Sequence, residues 1–249
     1  MALERDPLLK RRDRSSSNRT CGVRTPVFPD VPLLNILSGT DRQRMLDELT
    51  EAHYEKDQYI FREGDPTEYF HIVKEGAVKC IKSSPEGKQC TLKMLMPGDL
   101  FCCDAAAFDG ARHPGTAKPM GKVSVLRMRK QSYFDMLRRN PEAAMEVIRY
   151  LGNRLHEAQE KAKVLALDRA DQRLAALLVD MAERSGIKEA HGFRLAVRLT
   201  RQDMADMVGT TTETAIRIIG RFKRDHLVSG TANRLIVRDL ARLKALAST

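Results

Sequence analysis

Two groups of side chains in this sequence have the types and spacing to do chemistry. The first is Glu213 and Arg217. On a helix, residues four apart lie one above the other. An arginine so placed can donate two hydrogen bonds to guanine, and a glutamate can accept one from cytosine N4. The same pair can also be a simple surface ion pair, worth ~0.3–0.5 kcal/mol. The second group is Cys80, Cys90, Cys102 and Cys103, with His113 downstream. Thiolates and an imidazole can hold zinc or copper(I), or two thiols can form a redox-switched disulfide. Cysteines also serve as small buried apolar side chains, and that alternative stays open here. No nucleophile–base constellation, phosphate-binding loop or zinc-protease motif occurs, so no catalysis is expected.

One common way to present base-reading side chains is a helix held by a second helix. The segment Leu199 to Arg224, LTRQDMADMVGTTTETAIRIIGRFKR, supplies both. Thr200 and Asp203 form a capping box, so a short helix starts at Arg201. Gly209 ends it and permits a tight turn, and Thr210 or Thr211 caps the next helix. At 100° per residue, Ala215, Ile218, Ile219 and Phe222 gather on one side of that helix. Glu213, Ile216, Arg217, Gly220 and Arg224 gather on the other. Helix, glycine turn, helix is the outline of a double-stranded DNA reader. Arg201, Gln202, Thr210, Thr211 and Thr212 are placed for phosphate or base contacts. The stretch HLVSGTANRLIVRD reads as a hairpin wing carrying Arg234 near a phosphate, followed by a helix over 238–247.

Charge agrees with that assignment. The chain has 249 residues and a formal net charge of +10. From Arg194 onward eleven Lys/Arg face five Asp/Glu, so much of the excess sits where DNA would lie.

The thiols belong to a different kind of segment. Between Tyr54 and Met128, Gly64, Gly76, Gly87, Gly98 and Gly110 recur every 11–12 residues. Short apolar runs lie between them, which indicates an antiparallel barrel or sandwich. Cys80 and Cys90 fall on the two arms of one hairpin, turned at Pro85-Glu86-Gly87, with parity that puts them on one side. At most one of Cys102 and Cys103 can point inward. A helix is expected to begin near Gly39, capped by Thr40 or Asp41. Asn140-Pro141 starts a long helix, along which Ala144, Ile148, Leu151, Leu155, Ala158, Ala162 and Leu165 alternate at spacings of 4 and 3, a dimer seam. Met145 and Val147 form a second stripe toward the sensor. Asp168 caps the following helix, and a short strand is expected at Phe193–Val197. The expected organisation is α+β: a flexible basic tail (1–30), a β-roll sensor (31–139), a dimerisation helix (140–167) and a winged helix-turn-helix (168–249).

No apolar run is long enough for a membrane span, and the start of the chain lacks a signal-peptide core. Five cysteines, including Cys21, do not make a disulfide framework. A cytoplasmic protein with no membrane partner is expected.

In this order, glycine-punctuated β-roll, seam helix, helix-turn-helix and wing, the chain resembles the CRP/FNR family of bacterial transcription regulators. The resemblance rests on LTRQDMADMVGTTTETAIRIIGRFKRDHLV, GAVKCIKSSPEGKQCTLKMLMPGDLF and FREGDPTEYFHIVKEG. It implies a cyclic-nucleotide-binding-like domain and a homodimer on a palindromic operator, with RNA polymerase as a further partner. Glu213 and Arg217 match the residues that read a TGA-like core. The cyclic-AMP type has an Arg directly before that Glu; here it is Thr212, which implies half-sites closer to TTGA than to GTGA.

The sensor departs from the family's best-understood members. Cys102-Cys103 stands where the cyclic-AMP pocket has Gly-Glu, and His113-Pro114-Gly115 where it has Arg-Ser, with Arg112 adjacent. A cyclic phosphate would lack its arginine, so cyclic AMP is not expected. Nor is an iron–sulfur cluster, which needs four cysteines, since only Cys21 lies in the tail. GDLFC resembles the family's carbon-monoxide sensor, which implies Cys102 as a haem ligand. Asp104 occupies that sensor's His position, leaving His113, His71 or a main-chain nitrogen as the second ligand. The expectation is an allosteric regulator answering a gas, redox or metal signal near Cys80, Cys102, Cys103 and His113. The rivals are a constitutive DNA binder with a vestigial pocket, and a regulatory module of an enzyme.

Overall fold

The computed structural model describes residues 31–102, 110–231 and 234–248. The tail 1–30, with Cys21, and Cys103, Asp104 and Asp109 lie outside the described residues.

The first half is a β-roll. One sheet runs in the order β1 (Thr50–Tyr54), β7 (Val123–Arg129), β2 (Tyr69–Glu75) and β5 (Leu100–Phe101). The other runs β4 (Gln89–Leu95), β3 (Val78–Ser83), β6 (Thr116–Pro119). Strand alternation sorts the side chains between two cores. Phe70, Ile72, Leu126 and Met128 face helices α1 (Pro32–Ile36), α3 (Lys130–Arg139) and the start of α4 (Pro141–Leu167). Val73, Val78, Val123 and Val125 face inward with Cys80, Phe101 and Cys102. The five recurring glycines all have positive φ, from +68° at Gly110 to +92° at Gly98. At Gly76 the backbone is crowded as well: a Cβ would sit 2.5 Å from the Lys122 carbonyl oxygen.

Several caps differ from the sequence expectation. Helix α2 (Gly39–Glu48) is capped by Ser38, whose hydroxyl accepts from the Asp41 N–H at 3.4 Å. Neither Thr40 nor Asp41 is the cap; both lie inside the first turn. Pro141 opens α4 as expected, but the Asn140 side chain turns back and donates to the Met136 carbonyl at 3.0 Å. Asp168 ends α4 rather than capping α5 (Ala170–Ser185). The expected strand at 193–197 is a shorter β9 (Gly192–Arg194), paired with β8 (Ile187–Glu189).

Helix α4 lies on the β-roll through Ala143 and Val147, with Tyr150 and Leu151 partly covered. Met145, expected on that stripe, is instead 46% exposed. Successive positions of a helix are 100° apart, so 143 and 147 share a face that 145 misses. Of the seam residues, Leu151 is partly buried, while Ile148, Leu155, Ala158, Ala162 and Leu165 are exposed.

The second half has its own core around Leu174, Leu178, Met204, Ile219 and Phe222. It contains α5, α6 (Arg201–Val208), α7 (Thr212–Arg224), the wing strands β10 (Val228–Thr231) and β11 (Arg234–Val237), and α8 (Leu240–Ala247), capped by Asp239. Ala77, Met94 and Met96 of the sensor belong to this core as well. No helix among the described residues is long and apolar enough to cross a membrane.

Candidate nucleic-acid interface and sensor interior

Local chemistry fixes the reading helices. The Thr200 hydroxyl accepts from the Asp203 N–H at 3.0 Å, and Asp203 Oδ2 accepts from the Thr200 N–H at 3.0 Å. The α6 box thus satisfies two end groups that a helix otherwise leaves unpaired. Gly209 ends α6 at φ 63°, ψ 51°, a conformation that disfavours a Cβ. Thr211 caps α7, accepting from the Thr214 N–H at 3.2 Å.

Helix α7 has two faces. Ala215, Ile218, Ile219 and Phe222 are buried, and truncating a buried Phe costs about 3–5 kcal/mol. Glu213, Ile216, Arg217 and Arg224 are exposed, so side chains able to read bases stand outward. Neither Glu213 nor Arg217 is in a described ion pair within 4.0 Å, and they are not paired with each other.

Other sequence-singled residues are partly occupied. Thr212 donates to Gln202 Oε1 at 2.6 Å, and Gln202 Nε2 donates to Asp206 Oδ1 at 2.6 Å. That chain fastens the start of α7 to α6. Arg201 and Thr210 are half-buried at the helix ends. Arg234 reaches Glu189 at 3.2 Å, a carboxylate that also takes Arg194 at 2.7 Å. The wing is therefore tied to β8, and Arg234 keeps 67% side-chain exposure.

The effector candidates are less united. Cys80 is buried and Cys90 exposed. Their expected common side is overturned by a bulge: Lys82 pairs with Cys90 and Ile81 with Thr91, but Cys80 pairs with Lys93. The extra residue, Leu92, reverses the side-chain alternation. A shared Cys80–Cys90 metal site or disulfide is therefore not formed. Among the described residues, no group of three or more His, Cys, Asp or Glu is placed to hold a metal. Cys102 is buried, with a left-handed φ of 70°, which costs a non-glycine residue about 1–2 kcal/mol.

His113 is buried and stacked flat on Phe61, ring centroids 3.6 Å apart. His71 stacks on Phe101 at 4.9 Å. Burial first, then the nearby His113 and Arg127 charges, push the His71 imidazole down to about 3. Its Nδ1 is buried with no hydrogen-bond partner among the described residues. A haem needs open space beside its axial ligands. Here the Cys102 thiol lies in the apolar core between the sheets, and each of the two imidazoles already has a ring on one face. The described residues do not fit that group. Arg112, beside the position of the cyclic-phosphate arginine, is spent on the Gly64 carbonyl at 2.7 Å.

Sequence reasoning missed the residues that fasten α4 and the second half to the β-roll. Tyr150 donates to the Leu100 carbonyl at 2.6 Å. Arg154 and Arg184 each reach Asp99 at 3.0 Å. Lys79 of β3 reaches Asp203 at 2.5 Å. One signal was available: Met94 and Leu95 at the end of β4, with Met96 just beyond, are apolar on successive positions, as a segment covered on both sides must be.

Comparison with known proteins agrees with this geometry. Residues 51–140 match the family model of the cyclic nucleotide-binding domain, and residues 172–246 that of the Crp-like helix-turn-helix domain. The nitrogen fixation regulation protein FixK of Azorhizobium caulinodans is 27% identical over 201 residues, covering 80% of this chain and 79% of that protein. The fumarate and nitrate reduction regulatory protein of Vibrio cholerae is 25% identical over 204 residues, 81% of each chain. The structure of FixK2 from Bradyrhizobium japonicum superposes with a TM-score of 0.73 at 25% identity, covering 81% of this chain and 98% of that one. With a cyclic-nucleotide-binding fold followed by a Crp-like helix-turn-helix, this chain is a DNA-binding regulator and belongs to the CRP/FNR family.

Proposed function

We propose that the protein is a cytoplasmic homodimer that reads a palindromic operator with TTGA-like half-sites and changes its affinity in response to a gas or redox signal at the β-roll. The observation that carries DNA reading is the division of α7 into a buried apolar face and an exposed face with Glu213 and Arg217. Thr212 stands directly before Glu213 with its hydroxyl given to Gln202. No guanidinium is available there to select guanine, which favours a thymine-first half-site. Phosphate contacts come from Arg201, Thr210, Thr211, Arg224 and Arg234, with Gln202 bracing the start of α7.

Dimerisation is supported by the exposed row on α4: Ile148 is 58%, Leu155 62% and Leu165 50% exposed. Water against such a row is unfavourable, and a second copy of the same helix covers it in knobs-into-holes fashion. The two recognition helices must then stand one DNA turn apart, roughly 34–36 Å. RNA polymerase is the expected downstream partner.

The signal is assigned to the roll interior because Cys80 and Cys102 are buried there, with Cys102 in a strained conformation that a modification or ligand could release. Cys103 and the haem-type donors play no part in that reading. Selection from a pool of random duplexes tests the DNA half: the wild type should enrich a two-fold TGA core, and Arg217→Ala should lose that preference. Enrichment of no such core refutes it. Equal operator affinity of the oxidised and reduced protein, each with and without carbon monoxide and nitric oxide, refutes the effector half and leaves the constitutive reader, which the ring-packed His71 and His113 favour.

A further inference from the structure

Strand β3 is a wall between sensor and DNA reader. Cys80 faces the roll interior, and its neighbour Lys79 faces the other way. The Lys79 ammonium donates to Asp203 Oδ1 at 2.5 Å, with 15% and 13% of the two side chains exposed. The other oxygen of the same carboxylate accepts from the Thr200 N–H at 3.0 Å and the Thr200 hydroxyl at 2.7 Å. One carboxylate thus closes the capping box of α6 and ties α6 to the sensor. Burial alone would raise this carboxyl; the bonds from Lys79 and Thr200 outweigh it and hold it below the usual carboxylate range. Around the ion pair, Ala77, Met94 and Met96 share a core with Leu199, Met204 and Val208. The Arg184–Asp99 pair, at 3.0 Å, fastens α5 to the turn before β5.

None of these contacts uses the exposed face of α7. The docking therefore orients the reader and does not cover it. We propose that Lys79, a sensor residue, is a positioning residue for DNA reading: through Asp203 it fixes the orientation of α6, and with it α7, relative to the sensor. A reader held in one orientation loses less freedom when it meets its operator. Removing the ammonium also leaves a largely buried carboxylate oxygen without its partner, which loosens the junction.

The test uses the full-length protein and fluorescence anisotropy at one fixed salt concentration. Its probes are a duplex selected by the wild type from a random pool and a scrambled duplex of equal length. A wild type that selects no sequence would refute operator reading before any variant is made. Lys79→Met keeps the apolar stem and removes the charge. It should weaken operator binding about tenfold, a typical size for coupling between separate sites, leave scrambled-duplex binding within about twofold, and lower the melting temperature only modestly. Lys79→Arg should restore operator binding, and Lys79→Met should add nothing in an Asp203→Asn background. If Lys79→Met melts early, Lys79→Gln is measured in its place. Unchanged or tighter operator binding overturns the proposal. So does a parallel loss of both affinities, because a merely structural residue lowers both together.

Discussion

Replacing His71 by Phe isolates one buried titrating group. The imidazole lies between Phe101 and Phe61, at 4.9 and 5.8 Å, so a phenyl ring suits the site. Burial pushes this imidazole down to about 3 in the folded chain, from an ordinary value of 6.5. Because the folded value is the lower one, the unfolded chain binds more protons between pH 6.5 and 3. Stability is full above about 6.5 and falls with pH through that window. With 1.36 kcal/mol per pH unit, the loss from pH 7 to pH 5 is about 2 kcal/mol. The stability held by the lowered carboxyls of Glu51, Asp171 and Asp203 is lost in the same direction, but only as pH falls from their ordinary values of 4.5, 3.8 and 3.8 downward, so pH 5 separates them from His71. The assay is urea unfolding of wild type and His71→Phe, followed by circular dichroism at pH 7 and pH 5. The variant should be at least as stable at pH 7, since an unpartnered buried nitrogen costs about 1–3 kcal/mol, and should gain about 2 kcal/mol on the wild type at pH 5. Equal pH dependence in the two proteins would refute the reasoning, because it would mean that the imidazole is hydrated or paired in the folded state.

If the protein dimerises through α4 as proposed, Leu155→Lys should be monomeric in sedimentation equilibrium with the fold intact, since this side chain is 62% exposed in the single chain; a dimer that persists in the variant places the interface elsewhere. Cys102→Gly should change stability by less than about 1 kcal/mol, because relief of the left-handed backbone offsets loss of a small buried side chain. It should also abolish any redox dependence of operator affinity, and a retained redox response excludes this thiol. Arg224→Ala should lower the slope of log affinity against log salt by about 1 with sequence preference intact. Arg217→Ala should instead relax the preference, at a cost of about 1–3 kcal/mol.

The contrast between legible and hidden features follows the range of the interactions that make them. The α6 box, the Gly209 turn, the Thr211 cap and the two faces of α7 are set by residues within four positions of one another. Sequence reasoning located them, with the α7 cap narrowed to Thr210 or Thr211. The glycines at positive φ were legible for the same reason, since each turn needs its own permissive residue. The cap errors were also local, but they came from competition between neighbouring candidates. Ser38 preceded Thr40 and Asp41, and the Asn140 amide found the Met136 carbonyl more accessible than the start of its own helix. The bulge at Leu92 was harder, because no glycine or proline marks it. That one inserted residue separates Cys80 from Cys90 and removes the thiol pair that parity had implied. Longest in range is the Lys79–Asp203 pair, whose partners are 124 residues apart. A lysine on a strand ordinarily reads as a solvated side chain. Its meaning depends on what covers the outer face of the hairpin, and Met94 and Met96 indicate only that something does. The parts of a regulator that recognise DNA are therefore readable one helix at a time. The contacts that join the β-roll to the helix-turn-helix bring together distant segments, and they become visible only when both halves are placed together.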